Sequence, residues 1–586
     1  MTKPDSRPPN ILLIMADQWG AADVGCYGSP VPSTPTIDAM AERGVRFDRC
    51  YATHPLCGPN RSTMLTGRPS HIHGITANNL ELRGHHPTYA HILRAAGYRT
   101  GGFGKFHVSS MSTPHPESFD YLGFDEVVPV EDPRLGPWLD WVEAEHPEHF
   151  EHALATCWAT PYLAHYGPDR RDLREQHARA RAEYISRRRA GSPWGMIYTS
   201  PLPAELQPTT YIVNEAMDFM NRQRLADGDH PFFCKVSIVA PHDPYDPPTP
   251  FDKMYDPADM PPPVGDRLTG RSCEAYQHQR QWQRFGEVGS ESVCRQARAA
   301  FHGSVKHIDT QIARLIDYLE ATGEAERTVV IFTTDHGDSL GDHGLPTKGV
   351  VPYDRSIRCP LIVTGPGIEA GTSDKLRCTL DFFPTLLDLA GLSPEQRPKT
   401  EGRSFAPVLD GVDEPKPWDA VTVTYAGLEG WDPGMATIIT EDHWRLTRFP
   451  GEAYSELFDL RRDPDELTNL ADPALAGDRR DADVQEKHAD LLGQLSDALL
   501  NAQRLPSQPS LPIREDGRTG WPGPINQVPD LAYPHKTSAE PAGPAQPAKP
   551  KAAEVASLPV SKQFPIRRAV SSKRKSNSIP TRSVGK

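Results

Sequence analysis

The chain has 586 residues, of which 37% are apolar and 24% charged, enough for one large folded domain with a smaller companion. Its formal net charge of −14 argues against a dedicated nucleic-acid binder, although the last stretch is basic. The nine cysteines are odd in number and scattered without close metal-ligand pairs, which excludes a disulfide framework.

The first element in chain order is the apolar run Ile11–Ala16, strand-like and far too short to cross a bilayer. It runs straight into Asp17-Gln18 without a small-residue cleavage site, so it reads as neither membrane span nor signal peptide, and a cytoplasmic protein is expected. Pro59 suits the first turn of a helix, which places Cys57 just ahead of that helix. Tyr89–Ala96 reads as helical, and Gly104-Lys105-Phe106-His107 closes a short strand-like run. The segment Val130–Pro208 reads as an insertion with little strand character; its Arg187-Arg188-Arg189 run suits a solvated helix face as well as a substrate-facing surface. Phe232–Ala240 is a strand that ends in the turn Pro241-His242-Asp243-Pro244. The Cys273–Cys294 region reads as loop, and like Val130–Pro208 it is not positioned by sequence alone. Gln311–Leu319 is helical, Thr328–Thr334 is a strand running into Asp335-His336, and Leu361–Thr364 is another strand.

This alternation predicts an α/β domain with a mostly parallel sheet covered by helices on both faces. Functional groups then gather where strands end at their carboxyl edge. From Asp419 to Leu500, strand-like Val421–Tyr425 and Trp444–Thr447 precede a helix at Val484–Leu499. Beyond Arg504 the chain turns Pro-rich and then Pro/Ala/Lys/Ser-rich, a composition that buries little apolar surface and reads as a disordered, solubilising tail. The expected division is a main domain over 8–415 with an insertion at about 130–208, a smaller α+β subdomain over 416–503, and a linker and basic tail over 504–586.

The strongest chemical signal is Cys57-Gly58-Pro59-Asn60-Arg61-Ser62-Thr63-Met64-Leu65-Thr66-Gly67-Arg68. A cysteine in a folded domain is usually a small buried apolar group. This one stands at a helix start, where backbone N–H groups and the positive end of the helix dipole favour an anion, and Arg61 and Arg68 add charge. Asp17 and Asp335 each follow a strand. One such Asp commonly caps a helix, but two of them beside the Cys57 loop, on one sheet edge, are how an oxygen-rich metal site is assembled.

The Cys57 stretch resembles the sulfatase signature, Cys-x-Pro-x-Arg followed by Leu-Thr-Gly-Arg; seven specified positions coincide by chance in only ~10⁻⁹ of random placements. The resemblance extends over roughly residues 8 to 500, including Asp381–Gly391 and Glu456–Ala471. It implies an alkaline-phosphatase-like α/β sandwich with a central mostly parallel sheet and a smaller C-terminal α+β subdomain. It also implies an arylsulfatase-like sulfuric ester hydrolase. In that family the cysteine is oxidised to formylglycine by a formylglycine-generating enzyme. One hydroxyl of the hydrated aldehyde attacks sulfur, and the second expels sulfate, a step for which a plain thiol has no equivalent.

The same resemblance gives Cys57 the role of nucleophile, with Arg61 supporting it. Asp17, Gln18, Asp335, His336 and the modified Cys57 become ligands of one divalent metal ion, calcium by family habit. Lys105 and Lys348 become anion contacts, and His107 a hydrogen-bond partner of the nucleophile. His242 contacts sulfate and protonates the leaving oxygen. Asp338, Asp342 and His343 are left as structural. Gln18 and His336 depart from the commonest sulfatase pattern, Asp and Asn, and look more like the phosphonate monoester hydrolase branch; a nitrogen ligand also suits manganese better than calcium. Three functions therefore stand: hydrolysis of a small-molecule or sugar sulfate ester, hydrolysis of a phosphonate monoester or phosphodiester, and a silent anion-binding protein.

Overall fold

The computed structural model describes residues 8–503 except 83–85, 110–115, 158–159, 168, 186–194, 227–229, 266–288, 350, 413–417, 426–433, 450–451, 453 and 473–481. The Arg187–Arg189 run, most of the Cys273–Cys294 region and the tail beyond 503 lie outside the described residues.

A nine-stranded sheet organises the main domain. Its strands are β1 (Asn10–Ala16), β2 (Val45–Tyr51), β3 (Arg99–Gly104), β4 (Glu126–Pro129), β5 (Phe232–Ile238), β6 (Thr328–Thr334), β7 (Arg358–Thr364), β8 (Gly371–Ser373) and β9 (Arg377–Cys378). They lie in the order β4-β3-β5-β1-β6-β7-β2-β8, with β9 also on β2. All neighbours are parallel except at β7, which runs antiparallel to β6 and β2. The chain between β6 and β7 makes no long helical crossover; it returns as a loop with short helical turns, and an antiparallel partner needs no crossover.

Every residue of β1 is buried, because helices cover both sheet faces, and a strand buried on both sides reads as one apolar run. Leu12 and Ile14 face a core shared with the Pro208–Leu225 and Glu291–Thr322 helices. Ile11, Leu13 and Met15 face a second core built from the Cys57–Thr66, Tyr89–Ala95 and Phe382–Leu389 helices. The Glu291–Thr322 helix is far longer than the Gln311–Leu319 stretch that its sequence announces; Ser290 caps it by accepting from the Val293 N–H, and Gly323 ends it in the left-handed region at φ +76°.

The insertion is helical (Pro137–Glu145, Phe150–Thr156, Arg174–Ala180). Its first residues differ from expectation: Val130, Glu131 and Asp132 are buried beyond the end of β4 and belong to the sheet edge. A second, antiparallel sheet contains β10 (Ala420–Tyr425), β11 (Met435–Thr440), β12 (Trp444–Arg448) and β13 (Ser455–Asp459), two more strands than the sequence pattern suggested. Leu491 and Leu495 of the Ala482–Gln503 helix cover one face of it. The other face packs on Tyr51, Leu345, Val351 and Tyr353 of the main domain. No helix among the described residues is long and apolar enough to cross a membrane.

Candidate active site

Five strands that are neighbours in the sheet each deliver one set of polar side chains at the same edge. In spatial order these are Asp132 beyond β4, Lys105 and His107 beyond β3, His242 and Asp243 beyond β5, Asp17 and Gln18 beyond β1, and Asp335 and His336 beyond β6. Parallel pairing of Ala16 with Thr334 puts Asp17 and Asp335 side by side. The Cys57–Thr66 helix starts against this edge, with Cys57 as its first residue, and Lys348 reaches in from the loop between β6 and β7. All ten residues singled out by the sequence meet in one cluster.

Cys57 is fully buried. Its Sγ lies 3.0 Å from His336 Nε2, 3.1 Å from Lys348 Nζ and 3.7 Å from Asp17 Oδ1. Burial pushes the Cys57 thiol up, but Lys105, Lys348 and His336 outweigh it and hold it well below the usual thiol range. Arg61 points back under the site: Nε donates to Asp335 Oδ2 at 2.7 Å, Nη2 lies 3.4 Å from Asp17 Oδ2, and Nη1 donates to the Lys105 carbonyl and Ser237 Oγ. Arg61 therefore ties the β1, β3, β5 and β6 ends together. Burial raises the Asp335 carboxyl, yet Arg61, joined by His336, holds it down at about 2.

Asp17 behaves differently. Burial, then the nearby charges of Asp335 and Cys57, push its carboxyl up, with Lys105 and Arg61 only partly offsetting them. Of the two adjacent buried carboxylates, Asp17 is thus the one short of positive charge. Asp17, Cys57, Asp335 and His336 each offer a ligand atom, all within 4.8 Å of one another. His336 Nδ1 donates to the Gly337 carbonyl at 2.9 Å, so Nε2 is the ring nitrogen aimed at the cluster. Gln18 Nε2 donates to Asp338 Oδ2 (2.6 Å) and Asp243 Oδ1 (3.2 Å); these two acceptors fix the amide, and Oε1 is left buried without a hydrogen-bond partner. Two carboxylates, an imidazole nitrogen and an orphaned amide oxygen fit a divalent cation.

The anion side has its own scaffold. Lys105 Nζ pairs with both Asp17 and Asp132. His107 takes φ +49°, a conformation costly for a residue with a Cβ. The Glu131 carboxylate holds it by accepting the Phe106 N–H at 2.9 Å and the His107 N–H at 3.0 Å. His242 Nδ1 donates to the Asp243 carbonyl at 2.6 Å, and its Nε2 lies 2.6 Å from Lys348 Nζ. Burial and Lys348 oppose a charged His242 ring, while Asp132 and Asp243 outweigh them and lift it to about 9. At 2.6 Å only one proton fits between the two nitrogens, so His242 and Lys348 hold it jointly. The loops are packed backbone to backbone: a Cβ on Gly337 would stand 2.0 Å from the Arg355 carbonyl and 3.0 Å from Gly20 Cα.

Sequence reasoning missed Glu131, Asp132, Asp243 and the contact of Asp338 with Gln18. The usable signal for Asp132 was its place just beyond a strand end, as for Asp17.

The sulfatase family model matches residues 9–392, and that of the N-sulphoglucosamine sulphohydrolase C-terminal region matches 341–496. The chain is 29% identical to an arylsulfatase of Clostridium perfringens, over 79% of this chain and 90% of that protein. It is 30% identical to a choline-sulfatase of Rhizobium meliloti, over 79% and 82% respectively. The phosphonate monoester hydrolase structure of Agrobacterium radiobacter shares the fold, with a TM-score of 0.66 at 23% identity, over 88% of this chain and 100% of that one.

Proposed function

Because the chain belongs to the sulfatase family, we propose that it hydrolyses a sulfate ester to an alcohol and inorganic sulfate, with residue 57 as the nucleophile. The observation that carries this reading is the convergence of Lys348, His336 and Asp17 on Cys57 Sγ within 3.7 Å. Cations and a metal-ligand set there meet at one nucleophilic atom. Conversion of Cys57 to formylglycine by a generating enzyme would supply two geminal hydroxyls, one to attack sulfur and one to expel sulfate. A divalent ion held by Asp17, Gln18, Asp335, His336 and residue 57 would lower the pKa of the attacking hydroxyl and neutralise charge on the sulfuryl group.

The remaining work falls to the chain's own side chains. Lys105 and Lys348 flank the place of the sulfuryl oxygens and stabilise the charge that gathers on them. The S–O bond to the alcohol breaks, and the leaving oxygen takes the proton that His242 and Lys348 share. Arg61 keeps Asp335 ionised and holds Asp17 and Asp335 in register with the nucleophile. His107, its backbone held by Glu131, would serve as a hydrogen-bond partner of the modified residue 57. The names of these relatives favour a small-molecule sulfate as substrate, and the match to the N-sulphoglucosamine sulphohydrolase C-terminal model favours a sugar sulfate. Calcium is the ion that the family habit favours, and the His336 nitrogen suits manganese.

A second reading, phosphonate monoester or phosphodiester hydrolysis, is favoured by Gln18 and His336, which lower the negative charge of the metal site. Mass spectrometry of the tryptic peptide carrying residue 57, from protein made with a formylglycine-generating enzyme, is expected to show a loss of ~18 Da or its hydrate. That protein is expected to hydrolyse a nitrophenyl sulfate. Turnover confined to a nitrophenyl phosphonate overturns the first reading in favour of the second.

A further inference from the structure

The Glu456–Ala471 segment holds two buried carboxylates, Glu456 and Glu466, that the site described above does not use. Both meet Arg445 of β12, which is itself buried. Its Nε lies 2.8 Å from Glu466 Oε1, and its Nη2 lies 3.5 Å from Glu456 Oε2. A buried ion pair is weak evidence for stability, since apolar residues of similar volume commonly serve as well. What the trio touches says more. Arg445 Nη1 donates to the Pro352 carbonyl, and its guanidinium lies over the Tyr353 ring, 4.9 Å from the centroid. Glu466 accepts the Asp354 N–H at 2.7 Å, and Glu456 accepts the Tyr353 hydroxyl at 3.3 Å. Three successive residues of the main domain are gripped by one buried arginine and its two carboxylates.

Tyr353 in turn stacks on His343, with 3.8 Å between centroids and 9° between ring planes. Lys348 lies midway between these two residues in sequence. The stacked pair closes the ends of its loop, and Leu345 and Val351 are buried against the same face of the second sheet. Lys348 Nζ, at the inner side of the loop, touches Cys57 Sγ and His242 Nε2. The geometry points to Arg445, with Glu456 and Glu466, as a positioning residue for Lys348: the second sheet sets where the anion-binding ammonium stands. Glu466 holds φ +55° to reach Asp354, a backbone departure that accompanies a fixed contact. The inference rests on Lys348 as an anion contact of the proposed reaction. It gives the late Glu-Leu-Phe-Asp-Leu … Asp-Pro-Asp-Glu segment a place in that reaction without contact to substrate.

The test is a double-mutant cycle with a crystal structure. Arg445→Met is expected to lower kcat/KM for the hydrolysed ester at least about tenfold. In a Lys348→Ala background it is expected to cost almost nothing further, because both changes remove the same ammonium. In crystals of Arg445→Met, Lys348 Nζ is expected to leave hydrogen-bond reach of residue 57. Full additivity in the cycle, or Lys348 unmoved, overturns the inference. Should Arg445→Met not fold, Glu466→Gln carries the same test, since the amide oxygen still accepts from Asp354 while Arg445 loses its nearer carboxylate and keeps only Glu456 at 3.5 Å. If the wild-type chain hydrolyses neither a sulfate nor a phosphonate ester, the proposed function falls, and the crystallographic position of Lys348 still decides the positioning role.

Discussion

Asp132 is the residue whose removal separates the electrostatic parts of the site. It pairs with Lys105 and lies 3.9 Å from His242 Nε2, so it favours the protonated form of the His242–Lys348 pair. A group lifted to about 9 keeps its proton through neutral pH and loses it as pH rises through that value. Asp132→Asn takes away part of that lift, and the alkaline limb of the pH–rate profile is expected to move to lower pH; an unmoved limb separates His242 from the proton transfer. Cys57→Ala is expected to abolish turnover with the melting temperature little changed, because it exchanges one small buried side chain for another. Retained activity in that variant ends the nucleophile assignment. Asp17 and Asp335 were legible because each follows a long apolar strand. Asp132 was not, since β4 is short, mostly half-buried and ends in Pro129. Its charge reads in sequence as the start of a solvated insertion.

At the level of elements, β1, β5 and β6 announced themselves as apolar runs, but nothing in Leu361–Thr364 shows that β7 runs the other way. Direction is set by the connection before it, a loop rich in site residues. β13 was hidden for another reason: Glu456 puts a charge on a buried position and breaks the alternation that marks a half-buried strand. Its explanation, Arg445 on the neighbouring strand, lies outside any local pattern. The Ala482–Gln503 helix shows the opposite case, a clear periodic segment whose role only packing reveals. It covers Ile438, Leu446 and Leu457 with Leu491 and Leu495. A chain ending at residue 481 exposes that face and is expected to lose several kcal/mol, since each large apolar side chain uncovered costs ~1.5–3 kcal/mol. A chain ending at Gln503 is expected to keep the full melting temperature and activity, as the proposed division into domain, subdomain and tail requires. Equal stability of the two truncated chains rules out this packing role.

For the whole molecule, the shortage of positive charge around Asp17 links the ion to the fold. A cation that binds only the native state stabilises it by mass action. Chelation is therefore expected to lower the melting temperature and stop hydrolysis, and manganese is expected to restore both. Protein shown by elemental analysis to be metal-free, yet unchanged in melting and activity, removes the ion from the account. The sheet gathers residues from 17 to 348 because five adjacent strands end on one side, a consequence of parallel pairing that the order of strands in sequence does not disclose. One seam in that edge governs how it moves. Gly20 and Gly337 touch through bare backbone under the Arg355 carbonyl, with no room for a methyl group, and the Gly337 N–H is held by the Ser356 carbonyl at 2.8 Å. Two loops so joined breathe together: amide exchange at Gln18 and Gly337 should rise in step on warming, and the pocket should be lost in a single event rather than frayed one ligand at a time.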